Sequence, residues 1–176
     1  MSDLTPTQEK FVLHWGEMGT RWGINRTVAQ IHALLYLADE PLDAETIATT
    51  LGLARSNVST SLRELQAWRV ARVVHELGSR RDRYETEHDV WTLFRTILEQ
   101  RKRREIDPTL AVLRECVTEA EETADATHVR ERLGEMLDFF ERTTAWYDAI
   151  ARLPRSAAIR LVAMGDRLPK LLERKR

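Results

Sequence analysis

The sequence contains one cysteine, Cys116, so no disulfide can form within the chain, which fits a reducing compartment. No apolar run approaches the roughly 18 residues of a membrane span. The polar start "MSDLTPTQEK" lacks the basic-then-apolar order of a signal peptide, so the expectation is a cytoplasmic protein without a membrane partner. The motifs of common catalytic centres are missing too: there is no G-x-x-x-x-G-K-[ST], no G-x-S-x-G and no H-E-x-x-H. His14, His32, His75, His88 and His128 show no paired ligand spacing, and Cys116 has no sulfur partner and reads as a packing residue on a helix. An enzyme, a metal centre and a cofactor are therefore not expected.

Lysine is scarce as well, with only Lys10, Lys102, Lys170 and Lys175. This reflects genome base composition rather than a demand for guanidinium chemistry, but it leaves arginine to carry the basic charge. The formal net charge is -1, and its distribution says more than its sum. Residues 1–53 hold three basic and seven acidic side chains, residues 54–83 seven and three, residues 114–151 four and ten, and the last 25 residues eight and two. Two basic segments thus stand out against an acidic middle. At 43% hydrophobic residues, a core can form in 176 residues.

Helix punctuation is readable. Thr5, Pro6 and Gln8 form a cap, first-turn proline and capping-box partner for a helix with Phe11, Val12, Trp15 and Met18 on its apolar face. After Gly23, "RTVAQIHALLYLADEP" places Val28, Ile31, Leu34 and Leu35 on one side, with Pro41 beyond its end. Asp43 caps "AETIATTLG", in which Ile47, Ala48 and Leu51 face inward, and Gly52 permits a sharp turn into "ARSNVSTSLRELQ". The period then changes: "VARVVHEL", the turn "GSRRD" with Gly78, and "RYETE" predict a β-hairpin over residues 70–87. Beyond it the chain reads helical: "DVWTLFRTILEQRKRRE" with Trp91, Phe94, Ile97 and Leu98, a fresh helix entered through Asp107 and Pro108, a third from about 129 to 150 with Leu133, Leu137, Phe140 and Tyr147, and a last one after Pro154. The fold class is mainly α with a small β-hairpin (α+β), a winged helix-turn-helix with long N- and C-terminal helices.

The helix after Gly52 is unusual for its hydroxyls. Val58, Leu62 and Leu65 define a buried side, while Ser56, Ser59, Thr60 and Arg63 lie roughly opposite with Asn57 at one flank. Short hydroxyl side chains are mediocre helix formers. On the second helix of a helix-turn-helix they make sense, because that helix lies in the DNA major groove, where arginine pairs with guanine, asparagine with adenine, and serine or threonine with base edges or phosphates. A wing with Arg80, Arg81 and Arg83 suits a phosphate wall or narrow minor groove. The candidate DNA-binding set is Arg55, Ser56, Asn57, Ser59, Thr60, Arg63, Arg80, Arg81 and Arg83.

From "WGEMGTRWG" through "SNVSTSLRELQAW" and "GSRRDRYE" into "RKRREIDPTLAVLRE", roughly Trp15 to Glu115, the chain resembles the multiple-antibiotic-resistance-regulator (MarR) superfamily, and within it the glycine-betaine-regulator (GbsR) branch. The resemblance implies a homodimeric transcriptional regulator that binds double-stranded DNA, in some members with a small-molecule effector, and for this branch a repressor of osmoprotectant or choline-type genes. Trp15, Trp22, Trp91 and Trp146 are enough aromatics for a choline-like cation. Two positions depart from the family: Ala54 stands where a serine usually caps the recognition helix, with Ser56 as an alternative cap, and Arg69 stands where a glycine usually follows the tryptophan. The expected organisation is an N-terminal dimerisation helix over 1–24, a DNA-binding domain over 25–88 and a C-terminal helical dimerisation region over 89–176. The competing reading is a winged-helix protein-interaction module without DNA binding.

Overall fold

The computed structural model describes residues 4–78, 81–123 and 125–165. Its contacts divide the chain into two units, one up to Gln100 and one from Arg101.

In the first unit, α1 (Pro6–Arg21) opens on the expected capping box: the Thr5 hydroxyl accepts from the Gln8 amide at 3.3 Å and the Gln8 side chain accepts from the Thr5 amide at 2.9 Å. α2 (Arg26–Leu37) is capped by Asn25, which accepts from the Thr27 amide at 2.8 Å. Val12 of the anticipated apolar face is buried, Trp15 of that face meets His32 of α2, and the buried Gly16 and Gly19 add a close approach to α2. A Cβ on Gly19 would stand 2.5 Å from Cβ of Ala29, so that crossing is open only to glycine. Asp43 caps α3 (Ala44–Leu51) by accepting from the Thr46 amide at 2.7 Å, and Gly52, at φ 62°, turns the chain toward α4 (Arg55–Ala67). Ile31 and Leu35 of α2, Ile47 of α3, Val58 and Leu62 of α4, and Leu93 of α5 (Val90–Arg101) share one core.

The expected hairpin is present as β2 (Ala71–Val74) and β3 (Arg83–Thr86), antiparallel with Ala71 opposite Thr86 and Val74 opposite Arg83. It is joined by a third strand the sequence pattern did not show, β1 (Leu42–Asp43), which pairs with β3 so that Leu42 faces Tyr84 and Asp43 faces Arg83. The sheet order is β1-β3-β2. At its base the buried Thr86 hydroxyl donates to the Val70 carbonyl. The chain is thus a mainly helical winged helix-turn-helix: α3, a glycine turn, α4, then a wing on a three-stranded sheet.

Along α5 the inward side is Leu93 and Gln100, with Trp91, Ile97 and Leu98 half-buried and Phe94 exposed, so the stripe is rotated from the one expected.

The second unit begins with a π-helical segment, Lys102–Ile106, followed by α6 (Asp107–Glu122), α7 (Thr127–Ala151) and α8 (Arg155–Ala163). α6 starts at Asp107 with Pro108 in its first turn, as expected, but no break precedes it. Ile106 and Asp107 have right-handed helical backbones, and the π segment runs directly into α6. A proline ring in a regular helix clashes with the carbonyl four residues earlier, and the wider π turn relieves that clash. Lys102 stitches the segment down through Asp107 at 2.8 Å and Asp148 at 3.6 Å. α7 lies along α6, with Arg114 and Glu141 paired at 2.8 Å. Leu110 and Ala120 of α6 are buried, while no residue of α7 or α8 is. No helix of the described residues is long and apolar enough to cross a membrane.

Candidate nucleic-acid interface

The recognition-helix candidate divides cleanly by burial. Val58, Leu62 and Leu65 are almost completely inaccessible, held against α2 and α3, and Ser61 is buried with them. Arg55, Ser56, Asn57, Ser59, Thr60 and Arg63 are all exposed. Arg63 donates to the Thr60 hydroxyl at 3.2 Å, so its guanidinium is held along the outer face beside a second polar group.

The N-cap of α4 is Ala54, in extended backbone and with no side-chain capping bond; Ser56 does not take over. The first-turn amides beside Arg55 are therefore without a side-chain acceptor, an arrangement that suits an incoming anion. At the other end Arg69 adopts φ 56°, the left-handed conformation that a residue carrying a Cβ does not favour. Its amide bonds the Gln66 carbonyl at 2.9 Å, and the Val70 amide bonds Leu65 at 3.0 Å, so the turn into the wing closes as a glycine would close it.

The wing arginines are not equivalent. Arg80 lies outside the described residues. Arg81 is exposed and reaches Asp43 at 3.4 Å. Arg83 sits within β3, half-buried and paired with Glu76 at 3.4 Å, so it belongs more to the sheet than to the tip. Arg72 with Glu85 at 2.6 Å and His75 with Asp82 at 3.6 Å are further pairs on the wing.

Between α3, the start of α4 and the wing lies an open cleft lined by Asp43, Glu45, Arg55, Ser59, Arg81, Asp82 and Tyr84. Glu45 holds Arg55 at 3.3 Å. The Thr46 amide, and then Arg81, keep the Asp43 carboxyl below the usual carboxylate range, while partial burial and the nearby Asp82 raise the Tyr84 hydroxyl above its ordinary value. Sequence reading missed Asp43 and Glu45 as members of this surface. The signal was there in "DAE" at the very start of the helix-turn-helix, but that triplet reads equally well as a helix cap with a favourable first-turn acid. Among the described residues no group of three or more His, Cys, Asp or Glu is placed to hold a metal ion.

Residues 22–82, the segment carrying α2 to the wing, match the model of the MarR family. The chain is 26% identical over 90 residues to a Bacillus subtilis (strain 168) protein described as "Putative HTH-type transcriptional regulator YvaV", covering 51% of this chain and 51% of that protein. It spans about half the length of that relative. To OpcR of the same organism, an HTH-type transcriptional repressor, it is 19% identical over 136 residues, covering 75% and 74% of the two chains. A crystal structure of a transcriptional regulator superposes with a TM-score of 0.68 over 90% of this chain and 99% of the other at 19% identity, a likeness of fold. The roles named for these relatives are regulatory rather than enzymatic, in line with the expectation from the sequence.

Proposed function

From a winged helix-turn-helix whose residues 22–82 match the MarR family, we propose that the chain is a sequence-specific, dimeric DNA-binding transcriptional regulator. The observation that carries this reading is the outer face of α4. Ser56, Asn57, Ser59, Thr60 and Arg63 form an exposed donor and acceptor surface opposite a tightly packed stripe, with Arg81 of the wing beside it. Such a helix fits a major groove and such a wing fits the adjoining backbone. Residues 25–88 do the reading in this proposal, and the helices on either side pair two copies.

Dimerisation is supported by α7, where Met136, Phe139 and Trp146 follow at helical spacing and stay exposed, the last two at 62% and 66%. A two-fold protein matches a two-fold operator. A repressor's role is supported by the name of OpcR, and control of osmoprotectant or choline-type genes by the resemblance to the GbsR branch. A choline-like effector is supported by the aromatics of α1 and its end: Trp15 stacks on Phe11 with centroids 5.4 Å apart and meets Trp22 edge-on at 6.4 Å, with Trp22 largely open to solvent.

The deciding experiment titrates the full chain against its own upstream DNA and a random duplex over a salt series. Tighter binding to the upstream DNA, with affinity falling as salt rises, is expected of a DNA reader. Absence of binding to both duplexes replaces this reading with the protein-interaction module.

A further inference from the structure

The surface that this reading assigns to DNA carries two carboxylates that oppose it. Glu45, in the first turn of α3, holds Arg55 at the start of α4; Asp43, the α3 cap, holds Arg81 on the wing. Both pairs line the same cleft and both bridge separate elements. Neither is needed to hold those elements together. Ile47, Ala48, Val58 and Leu62 already lock α3 to α4, and β1 already pairs with β3 through Leu42 and Asp43.

Nor does capping explain the charge on Asp43. One oxygen, Oδ1, accepts from the Thr46 amide; the other, Oδ2, is the one that meets Arg81. An asparagine oxygen caps a helix as well as an aspartate does. The arginine side chains are 75% and 74% exposed, so a ligand can reach each of them from solvent.

We propose that Asp43 and Glu45 are internal stand-ins for DNA phosphate, occupying Arg55 and Arg81 in the free protein so that DNA is bound by exchange of one anion for another. This rests on the DNA reading of α4 and the wing. The exchange has a distinctive effect on salt dependence. An arginine that neutralises a phosphate releases a condensed cation from DNA, but the carboxylate it leaves behind takes up a cation from solution, and the two partly cancel. Salt also weakens exposed ion pairs, so it loosens the internal pairing while it weakens the contact with DNA. The free protein is held back most at low salt, and its affinity is buffered as salt rises.

The test uses the full chain with Asp43→Asn and Glu45→Gln, alone and combined, each also in an Arg55→Ala or Arg81→Ala background, on upstream and random duplexes between about 50 and 200 mM salt. Each single variant is expected to tighten binding about two- to fivefold at the low-salt end, the scale of one exposed pair, with the gain shrinking as salt rises. The slope of log affinity against log salt should steepen by up to about 0.9 per pair. Glu45→Gln should give no gain once Arg55 is alanine, nor Asp43→Asn once Arg81 is. A gain that survives loss of the arginine identifies general repulsion of DNA and overturns the exchange, as does a variant that binds like wild type. If wild type binds neither duplex, the DNA reading itself fails; if it binds and the variants do not differ, the exchange alone fails.

Discussion

The rings of His32 and Trp15 lie with centroids 6.5 Å apart where α2 meets α1, and Nε2 of His32 is buried with no hydrogen-bond partner among the described residues. Burial pushes the His32 pKa down from 6.5 to about 4. The folded protein therefore keeps this ring neutral over a range in which the unfolded chain protonates it. The stability of the neutral ring is complete above about pH 6.5 and falls as the pH drops toward 4, by about 1.4 kcal/mol per unit and about 3 kcal/mol in all. Urea unfolding of wild type and His32→Leu at pH 7.5 and 4.5 checks this: the difference between the two proteins should shift toward the variant in acid. A pH-independent difference would show that His32 has an unrecognised partner.

Arg69 carries a left-handed backbone at an exposed position, a conformation that costs a side-chain-bearing residue roughly 1–2 kcal/mol. Arg69→Gly is expected to stabilise the chain by about 1 kcal/mol after glycine's greater chain entropy is deducted, whereas Arg69→Ala should bring no gain. Thermal unfolding separates the two; equal melting temperatures for both variants would refute the strain.

Gly19→Ala puts a methyl group 2.5 Å from Ala29 Cβ and should cost about 1–3 kcal/mol by pushing α1 off α2. Adding Ala29→Gly makes room again and should restore much of the loss. A double variant as unstable as the sum of its parts would place the cost elsewhere.

Arg63 and Arg81 should fail differently on DNA. Arg63→Ala, on the outer face of α4, is expected to cost roughly 1–3 kcal/mol on the operator and less on random duplex, as a lost base contact does. Arg81→Ala should weaken both duplexes about equally, with a slope change of at most about one unit per wing. Binding isotherms for both variants on both DNAs decide it.

Phe139→Asp and Trp146→Asp place charges on the exposed apolar line of α7. Light scattering at micromolar concentration should show a dimer for wild type and a larger monomer fraction for each variant. A wild-type monomer would leave that line without the partner proposed for it.

Much of this was readable in advance where the physics is local. The Thr5, Pro6 and Gln8 box, the Asp43 cap and the Gly52 turn each depend on residues within four positions, and the buried line of Val58, Leu62 and Leu65 shows directly in helical spacing. What escaped depends on partners far along the chain. β1 is two residues long and has no period of its own; only Tyr84 and Arg83, some forty positions later, make it a strand. The pairing of Arg55 with Glu45 joins two helices, and nothing in either helix announces it. The π segment is a compromise between Pro108 and helical neighbours on both sides, invisible to rules that treat proline as a stop.

The separate duties of the two Asp43 oxygens have a genetic consequence. A single G-to-A transition turns an aspartate codon into an asparagine codon, which deletes the charge facing Arg81 while retaining an oxygen for the Thr46 amide. Selection can thus retune how readily this surface gives up its own anion in one nucleotide step, without passing through a misfolded intermediate sequence.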